Sequence, residues 1–316
     1  MASPDIEKGL AWFASKGWKP FAFQLEAWES YGHGVSGLVN APTGSGKTFS
    51  LLVPILLEGL TTTTAKHLQS VWITPIRALG KEIEYSAKEA VAGLDLSWRV
   101  GVRTGDSLFR EKQRQLEKPP EFLITTPESL HLLLAQKNYS SYFKELKSIV
   151  VDEWHELIGS KRGVLMELAL SRLKTIAPGL KIWGISATIG NMEESMHVLL
   201  GDYFRNKRNI KIIRSDIEKK TEIISVFPDE VERLPWSGYL GIALLEKIIP
   251  IILQGKSTLI FTNTRSFAEI WYQKLLAKAP ELSGAIAMHH GSISAELRNW
   301  VEDRLHEGKL KAVVCT

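Results

Sequence analysis

Short apolar segments alternate with amphipathic segments along the first two thirds of the chain. Strands are predicted at Gly37–Asn40, Val71–Thr74, Trp98–Val102, Phe122–Thr125, Ser148–Val151 and Lys181–Ile185. Helices are predicted between them, for example at Lys47–Leu60, Arg77–Val91 and Gly163–Ile176, and Pro54 is expected to kink the first of these. Because short apolar strands separated by helices require crossover connections, this pattern predicts an α/β fold with a parallel sheet.

The pattern changes between Arg205 and Lys220, where seven Lys or Arg residues stand against Asp216 and Glu218. We interpret this stretch as a solvated linker, and a basic ridge that faces nucleic acid is the alternative. The alternation then resumes, with strands predicted near Glu222–Val226, Thr258–Phe261, Ala285–Met288 and Ala312–Cys315. The sequence therefore predicts a first domain over residues 1–205 and a second over residues 206–316.

Composition and charge narrow the class of protein only a little. The chain has 316 residues and a formal net charge of +4, which is compatible with a polyanionic partner but equally typical of an ordinary mixed surface. The only cysteine is Cys315, which fits a reducing compartment. The start of the chain does not have the pattern of a signal peptide, and no apolar run is long enough to span a bilayer. These features predict a cytoplasmic protein that does not enter a membrane.

The segment from Ala41 to Thr48 follows a predicted strand and opens a predicted helix, which is the position of a phosphate-binding loop. Glycines in such a loop let backbone N–H groups turn toward phosphate oxygens, and the helix N-terminus adds partial positive charge. Lys47 is expected to reach the β- and γ-phosphates of ATP, and the Thr48 hydroxyl to bind Mg²⁺. The loop residues expected to surround the phosphates are Thr43, Gly44, Ser45 and Gly46.

Asp152 and Glu153 follow another apolar strand, about a hundred residues after the phosphate loop. Two adjacent carboxylates at the carboxyl edge of a sheet can divide the chemistry of hydrolysis between them. Asp152 is expected to hold Mg²⁺, usually through its water shell, and Glu153 to orient or deprotonate the attacking water. The alternative for an isolated Asp-Glu pair is an exposed surface pair with no catalytic role. The two motifs together predict an ATP site.

These motifs, with others in the same order along the chain, resemble those of superfamily 2 DExH-box helicases, whose box here reads Asp152-Glu153-Trp154-His155. The resemblance implies two RecA-like parallel-sheet domains with helices on both faces, the second of them truncated. It also implies that Gln24 reads the adenine edge while a nearby aromatic side chain packs on the base. His155 would couple the ATP site to Ser186 and Thr188, although a core histidine is the alternative for His155.

Further motifs of that family contain residues that could hold a nucleic-acid strand. Hydroxyls and backbone N–H groups at strand ends can bind phosphates without reading bases, and arginines add charge. For any one threonine, the alternative is a helix cap or a turn hydroxyl. The candidates are Thr74, Arg77, Arg103, Thr104, Thr126, Thr262, Arg265, His290 and Thr316.

The segments Asp152–Leu157 and Gly159–Gly163 resemble Lhr-type helicases, and most of all their bacterial ligase-associated branch. This resemblance implies a DNA helicase that moves 3′ to 5′ on single-stranded or tailed DNA and serves DNA repair, with a DNA ligase and a nuclease as companions. The residues themselves leave open an RNA helicase or an ATP-gated nucleic-acid-binding module. Because the chain stops at Thr316, where motif V begins, and motif VI is absent, we expect it to be weakly active.

Overall fold

A parallel sheet forms the centre of each of the two units into which the chain divides, residues 1–219 and residues 220–316. The computed structural model describes residues 6–61, 67–205, 209–217, 220–227 and 241–316. Within these ranges, no helix has the length and apolar character needed to cross a membrane. The prediction of an α/β fold with parallel sheets is confirmed.

Seven strands of the described part of the first unit form one sheet in the order β3-β4-β2-β5-β6-β1-β7, and all neighbours pair in parallel. The strands are β1 (Ser36–Asn40), β2 (Ser70–Ile73), β3 (Val100–Arg103), β4 (Phe122–Thr125), β5 (Ser148–Val151), β6 (Lys181–Ser186) and β7 (Ile210–Arg214). The central strands are buried on both faces, which explains why their sequences read as continuous apolar runs.

Helices cover both faces of this sheet. They are α1 (Ile6–Ser15), α2 (Ala22–Gly32), α3 (Lys47–Leu60), α4 (Arg77–Gly93), α5 (Phe109–Glu117), α6 (Pro127–Leu134), α7 (Tyr139–Phe143), α8 (Trp154–Leu157), α9 (Lys161–Ile176), α10 (Met192–Leu200) and α11 (Asp202–Arg205). Val39 and Trp72 pack in one core layer with α1 to α4, whereas Leu38 and Val71 pack in the other with α6 to α10. Helix α3 continues through Pro54, and its kink stays a prediction.

The interpretation of Arg205–Lys220 as a linker is wrong for residues 210–214, which form the edge strand β7 and pair with β1. Ile213 is fully buried, and Ile210 and Ile212 pack against the core on the other face. Lys211 and Arg214 are exposed at the edge. The high density of cations therefore reflects an edge strand with a solvated side, and these residues belong to the first sheet although they lie beyond residue 205.

The described part of the second unit has a three-stranded parallel sheet in the order β8-β10-β9, with helices after β8 and β9. Its elements are β8 (Thr258–Phe261), β9 (Ile286–His289), β10 (Ala312–Cys315), α12 (Leu245–Gln254), α13 (Arg265–Lys278), α14 (Ala295–His306) and two short 3₁₀ helices, Ile242–Leu244 and Pro280–Leu282. The strand predicted at Glu222–Val226 is wrong. Its residues pair with no described strand, and Ile223 and Ile224 are exposed rather than packed on a sheet.

A buried polar cluster ties α2, α3 and β6 together at the end of the sheet where β6 begins. The Tyr31 hydroxyl donates to Glu58 Oε2 at 2.6 Å, and Lys181 Nζ donates to Glu58 Oε1 at 2.7 Å. Lys181 also lies 3.9 Å from the centre of the Tyr31 ring. At their other ends, the same three elements carry Gln24, Lys47 and Ser186.

Candidate nucleotide site and nucleic-acid contacts

The loop between β1 and α3 has the backbone of a phosphate cradle. Gly44 and Gly46 adopt φ values of +80° and +72°, a left-handed conformation that glycine enters without strain. A Cβ on Gly44 would meet no atom within 4 Å, so this part of the loop borders open space. Thr43 is exposed, while the Ser45 hydroxyl is used within the loop and donates to Pro42 O at 2.7 Å. The half-buried Thr48 lies in the first turn of α3.

The two halves of the predicted ATP site meet in the first unit. Lys47 Nζ lies 2.5 Å from Glu153 Oε1, and their side chains are only 10% and 14% exposed. Lys47 is the first residue of α3, and Glu153 directly follows the strand β5 and Asp152, so elements far apart in sequence deliver these two charges. This contact is the central geometric feature of the site.

Asp152 is a buried carboxylate, with 4% exposure. Its Oδ1 accepts the backbone N–H of Glu153 at 2.9 Å, and its Oδ2 accepts the indole N–H of Trp72 at 3.3 Å. Burial, reinforced by the negative charge of Glu153, raises the pKa of Asp152 to about 6 despite the nearby Lys47. A carboxylate with too little positive charge around it fits a divalent cation, and the Thr48 hydroxyl supplies a second oxygen of the kind that Mg²⁺ binds.

The residues after Asp152 turn sharply into α8. Glu153 has a φ of +46°, which is uncommon for a residue with a side chain and is found at functional turns. His155 Nδ1 lies 3.0 Å from Ser186 Oγ at the end of β6 and 3.5 Å from Glu153 Oε2. The box and Ser186 are therefore in direct contact. Glu153 and His155 border a pocket of about 470 Å³, which is also lined by Pro42, Thr43, Ile76, Leu79, Glu156, Ala187 and Thr188.

Gln24 contacts the phosphate loop itself. Its amide nitrogen donates to Gly46 O at 2.8 Å, and its amide oxygen accepts the backbone N–H of Phe21 at 2.9 Å. Two aromatic rings in this region remain partly open to solvent. Trp18 is 42% exposed and its ring centre lies 5.4 Å from that of Phe49, and Phe21 is 47% exposed. Both rings are thus candidates for stacking on adenine.

Three of the residues predicted to contact nucleic acid in the first unit have partners within the protein. The Thr74 hydroxyl is buried and donates to Ile76 O at 3.0 Å, and the Thr126 hydroxyl caps helix α6. Arg103 is 6% exposed, donates to Lys112 O at 2.8 Å, and has its pKa lowered by desolvation. Thr104 is also buried. The side chain of Arg77 lies outside the described residues. Phosphate contacts from Thr74, Arg103 and Thr126 therefore require backbone groups or a rearrangement.

In the second unit, the predicted contacts lie after the ends of the strands. Thr262 Oγ1 donates to Thr264 O at 3.1 Å, and Arg265 Nη1 donates to Ser292 Oγ at 2.8 Å. His290 is 4% exposed, and neither ring nitrogen has a hydrogen-bond partner among the described residues. Thr316 is exposed directly after β10. Thr262, Arg265 and Thr316 are the more accessible members of this group.

Two side chains that the sequence did not single out connect parts of the site. Trp72 reaches Asp152 from the neighbouring strand β2. Arg162 joins the loop after β2 to helix α6, because its Nη1 donates to Pro75 O at 3.0 Å and its Nε donates to Glu128 Oε1 at 2.6 Å. Spacing along the chain carries no signal for either contact, since both depend on which strands are neighbours in the sheet.

Comparisons with known proteins give the family of this fold. The family described as DEAD/DEAH box helicase matches residues 21–195, and the helicase conserved C-terminal domain matches residues 242–316. The ATP-dependent helicase Lhr-Core of Methanothermobacter thermautotrophicus is 35% identical over 88% of this chain and 34% of the relative. The Lhr helicase/uracil glycosylase of Escherichia coli is 28% identical over 96% of this chain and 24% of the relative.

A solved structure of Mycobacterium smegmatis helicase Lhr, bound to ssDNA and AMP-PNP, matches with a TM-score of 0.79 and 29% identity. The match covers 97% of this chain and 40% of that chain. The chain thus spans about a third of the length of the first curated relatives. The predicted resemblance to Lhr-type helicases is confirmed, whereas the ligase-associated branch stays a prediction. The chain belongs to the DEAD/DEAH box helicase family.

Proposed function

We propose that this chain is the motor part of an ATP-dependent DNA helicase, in which ATP hydrolysis drives movement along one strand. The observation that carries the proposal is the contact between Lys47 and Glu153, which joins a phosphate loop to a carboxylate pair at the carboxyl edge of a parallel sheet. The likeness to Lhr-type helicases supports DNA as the strand, since the M. smegmatis relative is bound to ssDNA and AMP-PNP.

In the proposed reaction, the phosphate loop and the N-terminus of α3 bind the triphosphate of ATP. Gly44 and Gly46 turn the backbone so that N–H groups face the phosphates, and Lys47 pairs with the β- and γ-phosphates. Thr48 and Asp152 would hold Mg²⁺, which when bound neutralises charge on the phosphates. Gln24, fixed on Gly46 O, places the adenine side of the site next to the loop.

Glu153 is the proposed base. It orients a water molecule and accepts its proton while the water oxygen attacks the γ-phosphorus and the bond to the β-phosphate oxygen breaks. His155 contacts both Glu153 and Ser186, so a change at the γ-phosphate can be passed to the segment that ends at Thr188. We propose this chain of contacts as the link between hydrolysis and strand movement.

The loops that follow the β-strands of each sheet would hold the nucleic-acid strand, without contacts that read its bases. Backbone groups near Thr74, Thr104 and Thr126 are the proposed contacts of the first unit, and Thr262 and Arg265 those of the second. Movement from 3′ to 5′, a role in DNA repair, and association with a DNA ligase and a nuclease follow from the resemblance and belong to this proposal. A cytoplasmic location accords with ATP and DNA as substrates.

The test is ATP turnover with and without single-stranded DNA, for the unaltered chain and for Glu153→Gln. We expect DNA-stimulated turnover that falls by at least a hundredfold in Glu153→Gln, while nucleotide binding is kept. Glu156→Gln is the matched control, since Glu156 lies three residues further along and also contacts the His155 ring. Equal losses in both variants would refute the role of Glu153 as base.

The preference for DNA over RNA is tested separately, by competition between single-stranded DNA and RNA of the same sequence. Tighter binding of DNA is the expected result, and tighter binding of RNA would make the chain an RNA helicase core.

Lys47→Ala should abolish nucleotide binding, whereas Lys161→Ala, an exposed change at the start of α9, should leave it intact. Nucleotide binding by Lys47→Ala at full affinity would mean that the nucleotide site lies elsewhere.

A further inference from the structure

Trp72 lies on β2 and is completely buried, yet its indole N–H has a charged partner. The nitrogen lies 3.3 Å from Oδ2 of Asp152. In the parallel register of β2 and β5, Trp72 stands opposite Val150, two residues before Asp152. The long indole side chain therefore bridges from one strand to the carboxylate that directly follows the next.

Burial of an indole ring in this protein does not by itself give its N–H group a hydrogen-bond partner. The indole nitrogens of Trp12, Trp98 and Trp183 are also buried and have no hydrogen-bond partner among the described residues. Apolar packing thus accounts for those three rings, whereas Trp72 adds a polar contact to the ATP site. A phenylalanine would fill most of the space at residue 72 but would lack the donor.

The orientation of the Asp152 carboxylate depends on its donors. The terminal torsion of an aspartate side chain has a broad energy profile, so packing alone fixes it poorly. Here each oxygen accepts one N–H group, from Glu153 on one side and from Trp72 on the other. Two donors on opposite oxygens determine the rotation of the carboxylate, and donors of this kind in a second shell orient ligands to metals.

We infer that Trp72 is a positioning residue that holds the Asp152 carboxylate in the orientation in which it binds hydrated Mg²⁺. The inference rests on the proposed ATP site. It assigns to β2 a part in cation binding besides its part in the core, and it predicts that loss of one N–H group weakens Mg²⁺ binding although the group does not touch the ion.

The experiment compares Trp72→Phe with Trp183→Phe, which removes a similarly buried indole whose N–H has no hydrogen-bond partner in the described part of the chain. Binding of a fluorescent ADP is measured while Mg²⁺ is titrated, and melting temperatures are recorded in the absence of nucleotide and Mg²⁺. Both variants lose comparable packing, so similar drops in melting temperature are expected. Only Trp72→Phe should raise the Mg²⁺ concentration at half-saturation, by about tenfold.

An unchanged Mg²⁺ requirement in a folded Trp72→Phe variant, or an equal rise in Trp183→Phe, would overturn the inference. If Trp72→Phe does not fold, β-(3-benzothienyl)alanine at residue 72 replaces the N–H group with sulfur in a ring of nearly the same shape, and the same rise is expected. Nucleotide binding that does not require Mg²⁺ in the unaltered chain and is not weakened by Lys47→Ala would instead refute the proposed ATP site itself. Failure of the inference and failure of the ATP site can therefore be distinguished.

Discussion

Replacing Asp152 with asparagine should stabilise the nucleotide-free protein while it removes activity. The pKa of Asp152 is raised from 3.8 to about 6, chiefly by burial, so ionising it in the folded state costs about 3 kcal/mol at neutral pH. Asparagine carries no charge but presents an amide nitrogen to one of the two N–H donors, which costs about 1–2 kcal/mol. The expected net gain is about 1–2 kcal/mol.

Thermal unfolding followed by circular dichroism, without nucleotide and Mg²⁺, measures this gain. For a unit of this size it corresponds to a rise in melting temperature of about 2–8 °C at pH 7.5. The direction of the pH dependence follows from the raised pKa. A carboxyl whose pKa is higher in the folded state no longer costs free energy of folding once the pH falls through 6 toward 4. The advantage of Asp152→Asn should therefore shrink over that window.

Asp216→Asn is the control, since it makes the same chemical change at an exposed position of the first unit, and it should leave the melting temperature unchanged. A lower melting temperature for Asp152→Asn at pH 7.5 would refute the reasoning, as would an advantage that grows on acidification. Either result would mean that hydrogen bonding and the charge of Lys47 outweigh the cost of burying the carboxylate.

Three further predictions concern other contacts. Lys181→Met should destabilise the first unit by about 1–3 kcal/mol in denaturant unfolding, because the Glu58 carboxylate loses a charged partner while it keeps the hydrogen bond from Tyr31, whereas the exposed Lys211→Met should cost less than about 1 kcal/mol. A double-mutant cycle of Lys47→Ala and Glu153→Gln, read by thermal unfolding, should show a coupling of about 1–3 kcal/mol, and a coupling near zero would contradict the ion pair. Arg162→Ala should weaken single-stranded DNA binding several-fold in fluorescence anisotropy and lower stability by less than about 1 kcal/mol.

Much of the fold follows from patterns that the sequence contains locally. The central strands are apolar because they are buried on both faces, so runs such as Ser148–Val151 predict them within a residue or two. Strand β7 escaped prediction because an edge strand needs apolar residues on fewer positions, and its lysines and arginines resemble a linker. The segment Glu222–Val226 shows the opposite error, since a short segment rich in isoleucine and valine does not by itself supply a pairing partner.

The candidate site divides in the same way. Lys47 and Glu153 could be predicted because backbone geometry ties each residue type to its place next to a strand end. The contacts of Trp72 and Arg162 could not, because they depend on the order β4-β2-β5 in the sheet, which the chain sequence does not encode locally. The hydroxyl of Thr74 shows a further limit, since a phosphate ligand and a turn hydroxyl have the same local sequence.

The pairing of Lys47 with Glu153 has a consequence for the resting motor. While Lys47 Nζ contacts Glu153 Oε1, that oxygen of the proposed base is occupied by the lysine rather than by a water molecule. In the proposed reaction, a bound triphosphate offers Lys47 a partner with more negative charge, and this exchange releases the Glu153 carboxylate. We therefore expect binding of the substrate to free the carboxylate that activates the attacking water.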